Sequence, residues 1–338
     1  MILRLFGFLS VIIELNEKSR YGQINKEGEL LIFDTHTDIL YNIVAKRLKN
    51  KKGIVEEYHI PEQLEGNITG GIWTYYTDIN HVLCEDIDKA VSYILEELEL
   101  SEDVQVVKSQ DDWADHKMNV ILGLESLASI RDLDHLKKMY DHGFRHAMLT
   151  WNEKNQFATG VGAQDGTGLT DLGYQAISLM NKLGMVIDVS HASSETIMDI
   201  LDITTEPVIA SHSNCYSLTP HRHNLMDEQI IALAELEGVI GITSVLRFTN
   251  PDDPTIKSMV DHIDYVKKLV GVRHIALGFD FMNYLADGNS QLNLSDCRNA
   301  RDAHLVIDEL MKRGYSSVEI DAITHANVKR VINHILKQ

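Results

Sequence analysis

Short apolar runs alternate with amphipathic segments along most of the chain. Eight of these runs have the length and composition of buried strands, and they cover residues 30–33, 70–76, 118–125, 147–150, 185–191, 207–212, 239–245 and 274–281. Helical spacing predicts helices at 39–48, 86–100, 134–142, 170–183, 194–201, 258–269, 301–313 and 318–336. Thr170 and Gly184 have the residue types of an N-cap and a C-terminal stop for the helix between them.

Strands that alternate with helices are typical of parallel βα units. Eight such strands in 338 residues predict a single-domain α/β fold, the (β/α)8 or TIM-type barrel. Residues 155–170 form the longest loop and are rich in Gly, Gln, Asp and Thr. This composition favours a loop that covers a site over a linker.

Residues 1–29 do not follow this pattern. The apolar run at 5–13 is too short to span a bilayer, and no small-residue cleavage pattern of a signal peptide follows it. We expect an N-terminal appendage over 1–29 and one domain over 30–338. A signal peptide, or a true start of translation near Leu30, are the alternatives.

Composition excludes some classes of partner. The net charge of −19 disfavours nucleic acid, because phosphate binding requires clustered Lys and Arg. The three cysteines, Cys84, Cys215 and Cys297, are too few and too far apart for a disulfide framework or a cysteine-type zinc site. We therefore expect a cytoplasmic protein with no membrane partner.

Metal-ligating residue types lie at the ends of several predicted strands. They are His36 and Asp38 after the first strand, Glu125 at the end of the third, His191 of the fifth, His212 of the sixth and Asp280 of the eighth. Each alone is commonly a cap, a turn residue or a solvated acid. In a (β/α)8 barrel, however, the carboxyl ends of all strands meet at one mouth, so the six side chains are predicted to converge.

The predicted cluster has the chemistry of a metal site. His36 and Asp38 are two residues apart on an extended segment, so their side chains point to the same side. Imidazole nitrogen together with carboxylate oxygen suits zinc or a similar divalent ion. Two ions need a shared ligand, and the two oxygens of Glu125 can bridge them. Asp188 and Asn214 are candidates for orienting these ligands or for ordinary capping.

The motifs together resemble those of the membrane (renal) dipeptidase family of binuclear zinc peptidases, in its bacterial cytosolic form. They are Asp34-x-His36-x-Asp38, the strand-end Glu125, Asp188-Val189-Ser190-His191, Ser211-His212-Ser213-Asn214 and Gly278-Phe279-Asp280-Phe281. The resemblance runs from about Phe33 to Arg330. It implies a (β/α)8 barrel, hydrolysis of dipeptides (some with a D-residue at the second position), and association into a homodimer.

The resemblance also implies roles for individual residues. His36 and Asp38 would bind one Zn²⁺, His191 and His212 the other, and Glu125 would bridge the two together with a hydroxide. Asp280 would carry protons between the nucleophile and the leaving group. Both Glu125 and Asp280 are therefore predicted catalytic residues.

The substrate-binding part departs from the family pattern. Trp151 lies near the position where renal members have a histidine, although Asn155 still matches. The family's Arg-Asn pair, whose Arg binds the substrate carboxylate, corresponds to His223 and Asn224. Either Arg222 or His223 is expected to replace that arginine, and charge and reach favour Arg222. The substrate-binding candidates are Arg222, His223, Trp151, Asn155 and Tyr75.

Other departures leave alternatives open. Ser126–Ala128 replace the family's Gly-Gly-His, and Met282 replaces its second Asp after the last strand. One alternative is another binuclear metal amidohydrolase or a lactonase, although those enzymes usually begin with His-x-His. The second alternative is a metal-binding protein that has lost turnover.

Overall fold

A closed ring of eight parallel strands forms the centre of the molecule. The computed structural model describes residues 30–77, 83–164, 166–285 and 292–336, so the predicted appendage at 1–29 lies outside the described residues. The strands are β1 Ile32–Thr37, β2 Ile68–Tyr76, β3 Val104–Val106, β4 Met118–Glu125, β5 Phe144–Met148, β6 Val186–Asp188, β7 Ile209–Ala210, β8 Val239–Ile242 and β9 Ile275–Leu277. The order β2-β1-β9-β8-β7-β6-β5-β4 is closed by pairing of β2 with β4. The predicted (β/α)8 barrel is confirmed.

Strand β3 is outside the ring and was not predicted. It pairs only with the first residues of β4, from Met118 to Val120. Its sequence, Val104-Gln105-Val106, is too short to show the alternation by which strands are recognised.

Helices surround the barrel. In the described ranges they are α1 Ile39–Arg47, α2 Ile60–Glu65, α3 Ile87–Glu99, α4 Leu133–Asp141, α5 Asp171–Leu183, α6 Ser194–Ile203, α7 Asp227–Glu235, α8 Leu246–Thr249, α9 Ile256–Val270, α10 Leu305–Lys312, α11 Ser317–Asp321 and α12 Asn327–Ile335. None of these helices combines the length and the apolar character needed to cross a lipid bilayer.

Local sequence signals account for some helix boundaries and fail at others. Thr170 Oγ1 accepts a hydrogen bond from the Gly173 amide, and Gly184 has a φ of 76°, as the cap and stop residues predict. The predicted helix at 318–336 is instead divided into α11 and α12 by a wider π-turn at Ala322–Ala326. Helix α7 was missed by the sequence analysis.

Helix α12 packs against the amino ends of the strands. Val328 and Val331 belong to the same buried cluster as Phe33 in β1 and Val239 in β8. The larger apolar cluster includes residues from the strands and from the surrounding helices. Because α12 packs at one end of the barrel, the carboxyl ends of the strands remain available for a site.

Candidate active site

Glu125 lies between two groups of histidines at the carboxyl ends of the strands. Its Oε1 is 3.0 Å from His191 Nε2 and 4.0 Å from His212 Nε2. Its other oxygen, Oε2, is 3.5 Å from His36 Nε2. A carboxylate that directs one oxygen to each side has the position of a ligand shared by two ions.

The predicted ligands converge as expected from the barrel. Three groups of side chains have donor atoms that all lie within 4.8 Å of one another; they are His36–Asp38–Asp280, His36–Glu125–His212 and His191–His212–His223. Every member of these groups is buried. All six residues predicted at the strand ends belong to the site, and His223 is added to them.

The strands end earlier than the apolar runs predict, and turns present several of the ligands. His191 follows the last residue of β6 by three positions, and Asp280 follows β9 by three. Both have positive φ, 65° for His191 and 54° for Asp280. Non-glycine residues seldom adopt this conformation, and it costs on the order of 1–3 kcal/mol. The Asp280 conformation is held by its amide, which donates to the His36 carbonyl at 3.3 Å.

Hydroxyl and amide groups orient the ligands. Ser211 Oγ is 2.9 Å from His212 Nδ1 and 3.4 Å from His36 Nδ1, which leaves Nε2 of each ring facing Glu125. Thr74 donates a hydrogen bond to Asp38 Oδ1 at 3.0 Å. These contacts are of the kind that fix metal ligands in place. Sequence reasoning missed them, although Ser211 stands directly before His212.

Asp188 acts through the backbone and does not contact the ligands. Its Oδ1 accepts the amides of Ser190 and Ser211 at 2.9 and 3.0 Å, and these residues directly precede His191 and His212. Its Oδ2 lies 2.8 Å from Nε2 of the buried His146, a residue that the sequence analysis did not identify.

Asn214 is engaged in a similar backbone role. Its Oδ1 accepts the Thr243 amide at 3.1 Å, and its Nδ2 donates to the Thr243 carbonyl at 3.2 Å. These bonds join the turn after β7 to the end of β8.

Burial and close charges perturb the titration of the site. Burial opposes charge on the His36 imidazole, but Glu125, Asp280 and Asp38 together outweigh it and raise the pKa of His36 to about 10. Burial, together with the charge of Glu125, raises the pKa of Asp38 well above its usual range. Burial likewise raises the pKa of Asp280, against the opposite charge of His36. Buried carboxylates depend on a positive charge in their midst, and a divalent ion bound by neutral His36 would supply one.

Burial favours the neutral form of His212 and His223. Burial lowers the pKa of His212 well below its usual range, and His36 and His191 add to the effect. Burial, assisted by His191, does the same for His223. Neutral imidazole is the form that binds metal.

The donor set fits divalent metal ions. His36 Nε2, Glu125 Oε2 and both ring nitrogens of His223 are buried without a hydrogen-bond partner. Buried polar atoms are normally paired, and an ion is one of the partners that explains such exceptions. Carboxylate oxygen and imidazole nitrogen are ligands that zinc accepts.

A cavity of about 340 Å³ opens onto the ligands. It is lined by Asp38, Tyr41, Tyr76, Glu125, Trp151, Asn152, His191, Val245, Phe248, Asp280, Met282 and Leu285. Trp151 lines it as predicted, with its ring 5.0 Å from that of Tyr76. Asn152, which had no predicted role, lies 3.3 Å from His191 Nδ1 through its Oδ1.

Tyr75 does not line this cavity. Its ring is only 1% exposed and packs in the apolar cluster of strands and helices, near Tyr41. Adjacent residues of a strand face opposite sides of the sheet, so Tyr76 points to the cavity while Tyr75 points away from it. Tyr76, and not the predicted Tyr75, therefore lines the cavity.

Asn155 and Arg222 are also placed away from the cavity lining. Asn155 Nδ2 donates to the Leu149 carbonyl at 2.8 Å, and its Oδ1 accepts the Phe157 amide at 2.9 Å, so it stabilises the loop itself. Arg222 is exposed and lines a neighbouring cavity. His223 lines the same neighbouring cavity, and its ring centroid lies 4.4 Å from that of His191.

Comparison with known proteins identifies the family of this chain. Residues 24–337 match the model of the family described as membrane dipeptidase, peptidase family M19. The chain is 34% identical to dipeptidase aclJ of Aspergillus oryzae, over 65% of this chain and 52% of that protein. It is 28% identical to an uncharacterized dipeptidase of Schizosaccharomyces pombe, over 93% of this chain and 82% of that protein. The chain thus matches about half the length of the first of these relatives.

Solved structures share the fold. Dipeptidase AC, a metallopeptidase of family M19, superposes with a TM-score of 0.81 at 20% identity, covering 92% of this chain and all (100%) of the other. A metallopeptidase of Rhodobacter sphaeroides, solved with a phosphinate mimic of the dipeptide L-Ala-D-Ala, gives a TM-score of 0.78 at 20% identity, over 90% and 99% of the two chains. Because the family model spans nearly the whole chain, this protein belongs to the membrane dipeptidase family, peptidase family M19.

Proposed function

We propose that this protein is a dipeptidase that depends on two zinc-type ions. The observation that carries the proposal is the position of Glu125, with one oxygen 3.0 Å from His191 and the other 3.5 Å from His36. His36 and Asp38 would hold one ion, and His191 and His212 would hold the other. Glu125 would be shared between them.

Divalent ions held in this way would lower the pKa of a bound water and polarise the carbonyl of the scissile peptide. The protein's own contribution is to position the substrate and to move protons. Asp280 Oδ1 lies 3.9 Å from His36 Nε2, at the edge of the ligand cluster and in the wall of the cavity. We assign it the acceptance of a proton from the attacking water and its delivery to the leaving amine.

The cavity supports a small substrate. Its volume of about 340 Å³ is at the lower end of the range for small-molecule sites, which is roughly 300–1,000 Å³. Tyr41, Tyr76 and Trp151 provide aromatic walls near the ligands. The dipeptide mimic bound by the Rhodobacter sphaeroides relative supports dipeptides, including those with a C-terminal D-residue. A homodimer and a cytoplasmic location stay predictions.

A substrate panel tests this function. Protein stripped with a chelator and reloaded with zinc should hydrolyse L-Ala-L-Ala or L-Ala-D-Ala, and the stripped protein should not. Glu125→Gln should be inactive under the same conditions, because it removes the shared charged ligand.

The same panel separates the alternatives. Hydrolysis of an N-acyl amide or a lactone, without hydrolysis of any dipeptide, would assign the protein to another class of metal hydrolase. Two bound ions with no turnover of any substrate would instead indicate a metal-binding protein that has lost turnover.

A further inference from the structure

His223 is buried beside the proposed metal ligands with no polar partner. His223 is only 5% exposed. Neither nitrogen of its ring makes a hydrogen bond. An unpaired buried polar atom costs about 1–3 kcal/mol, and His223 has two such atoms. A ligand that contacts the ring would remove this cost.

The ring of His223 faces the two histidines of the second proposed ion. Its centroid is 4.4 Å from that of His191, at an interplanar angle of 81°, and 5.1 Å from that of His212. One nitrogen from each of the three rings lies within 4.8 Å of the other two. Three donor atoms this close together could hold one metal ion.

Two further contacts help to hold the His223 ring in place. The ring of Phe248 stacks on His223 with centroids 4.2 Å apart and an angle of 7° between the planes. The His223 amide donates to His221 Nδ1 at 3.2 Å, which holds the turn. These contacts hold the His223 ring in place beside His191 and His212, as the contacts around metal ligands do.

We propose that His223 is a third histidine ligand of the ion held by His191 and His212. This inference rests on the proposed function for the presence of that ion. With Glu125, the ion would have four protein ligands, the number found in closed zinc sites. A position open to water would then belong to the ion at His36 and Asp38.

The same proposal removes His223 from the role of a carboxylate anchor. The resemblance places a substrate-binding arginine at this position, and a metal-bound imidazole carries no charge of its own to replace it. Arg222, the adjacent cation, is exposed and lines a different cavity. Among the described residues that line the cavity at Glu125, none is Lys or Arg.

Counting the imidazoles bound to metal tests the proposal on the unmodified protein. Protein with ¹⁵N-labelled histidine would be loaded with ¹¹³Cd²⁺, and nitrogen–cadmium couplings would be counted by NMR. We expect four coupled imidazoles, from His36, His191, His212 and His223. Three coupled imidazoles would overturn the proposal while leaving the two-ion site intact, and none would contradict the proposed function as well.

A variant assigns the fourth signal. His223→Phe keeps the stack on Phe248 but has no ligand atom, so it should lose one coupled imidazole and bind one of the two ions at least about 10–100-fold more weakly. Arg222→Gln is the matched control, because Arg222 is adjacent to His223 in the same turn but is exposed and offers no metal ligand; its couplings and metal affinity should be unchanged. Unchanged couplings and affinity in His223→Phe would refute the assignment.

Discussion

Asp280 combines a strained backbone with a buried carboxylate. Its φ is 54°, and its donor oxygen lies within 4.8 Å of those of His36 and Asp38. This position allows two roles, proton transfer or direct metal ligation. The distances from Asp280 to His36 and Asp38 are compatible with either role.

Asp280→Asn distinguishes the two roles. Asn tolerates the left-handed conformation, so the turn should be preserved while the proton acceptor is lost. We expect the variant to keep both ions and to lose turnover by about 10²- to 10⁴-fold. Metal content by elemental analysis, measured beside kcat, checks this. Loss of an ion together with activity would make Asp280 a ligand.

The sequence predicts which ligand-type side chains converge better than it predicts which residues line the cavity. His36, Asp38, Glu125, His191, His212 and Asp280 are brought together by the barrel alone. Whether Tyr75 or Arg222 lines the cavity depends on the direction of its side chain within a strand or a turn. A shift of one residue along a strand reverses that direction. The sequence indicates His223 only as a carboxylate anchor, because no spacing rule shows that its ring lies beside His191.

The loop from Leu149 to Thr170 is the element that connects the metal ligands with the cavity wall. Its Trp151 and Asn152 line the cavity, and the Val161 amide donates to the His191 carbonyl at 2.8 Å. Among the described residues of the 155–170 segment, which composition predicts to cover a site, Val161 contacts His191 but none lines the cavity at Glu125. Its internal hydrogen bonds, such as that from the Gly160 amide to the Glu153 carbonyl at 2.8 Å, could not be predicted from composition.

Gly160→Ala should displace this loop. A β-carbon at Gly160 would lie 2.3 Å from the Glu153 carbonyl oxygen and 2.4 Å from that of Trp151. Because backbone must move, Trp151 shifts in the cavity, and we expect kcat/KM to fall by about 10- to 100-fold. Steady-state kinetics with a dipeptide measure the effect.

Gly166→Ala is the control in the same loop. A β-carbon there would meet only the end of the flexible Glu195 side chain, at 3.0 Å, so little change in kcat/KM is expected. Equal falls in kcat/KM in the two variants would show that the loop is sensitive to any substitution. Displacement of Trp151 would then not be the cause of the defect.

At the scale of the whole molecule, barrel closure makes the site. His36 and Asp280 are far apart in sequence, yet the pairing of β1 with β9 brings their strands together. The alternation of apolar runs and helices is sufficient to predict this architecture. The apolar runs do not predict where the strands end. Strands β6 and β9 stop before the turns that carry His191 and Asp280, although the apolar runs continue into those turns.

Dipeptide hydrolysis by this protein should depend on two ions at one centre. Titration of chelator-treated protein with zinc, with the rate of L-Ala-D-Ala hydrolysis as the readout, measures this dependence directly. We expect no turnover without metal and a rate that reaches its plateau at about two ions per chain, by the logic of a two-metal site. A plateau at one ion per chain, or no hydrolysis at any zinc concentration, would contradict a dipeptidase that depends on two ions.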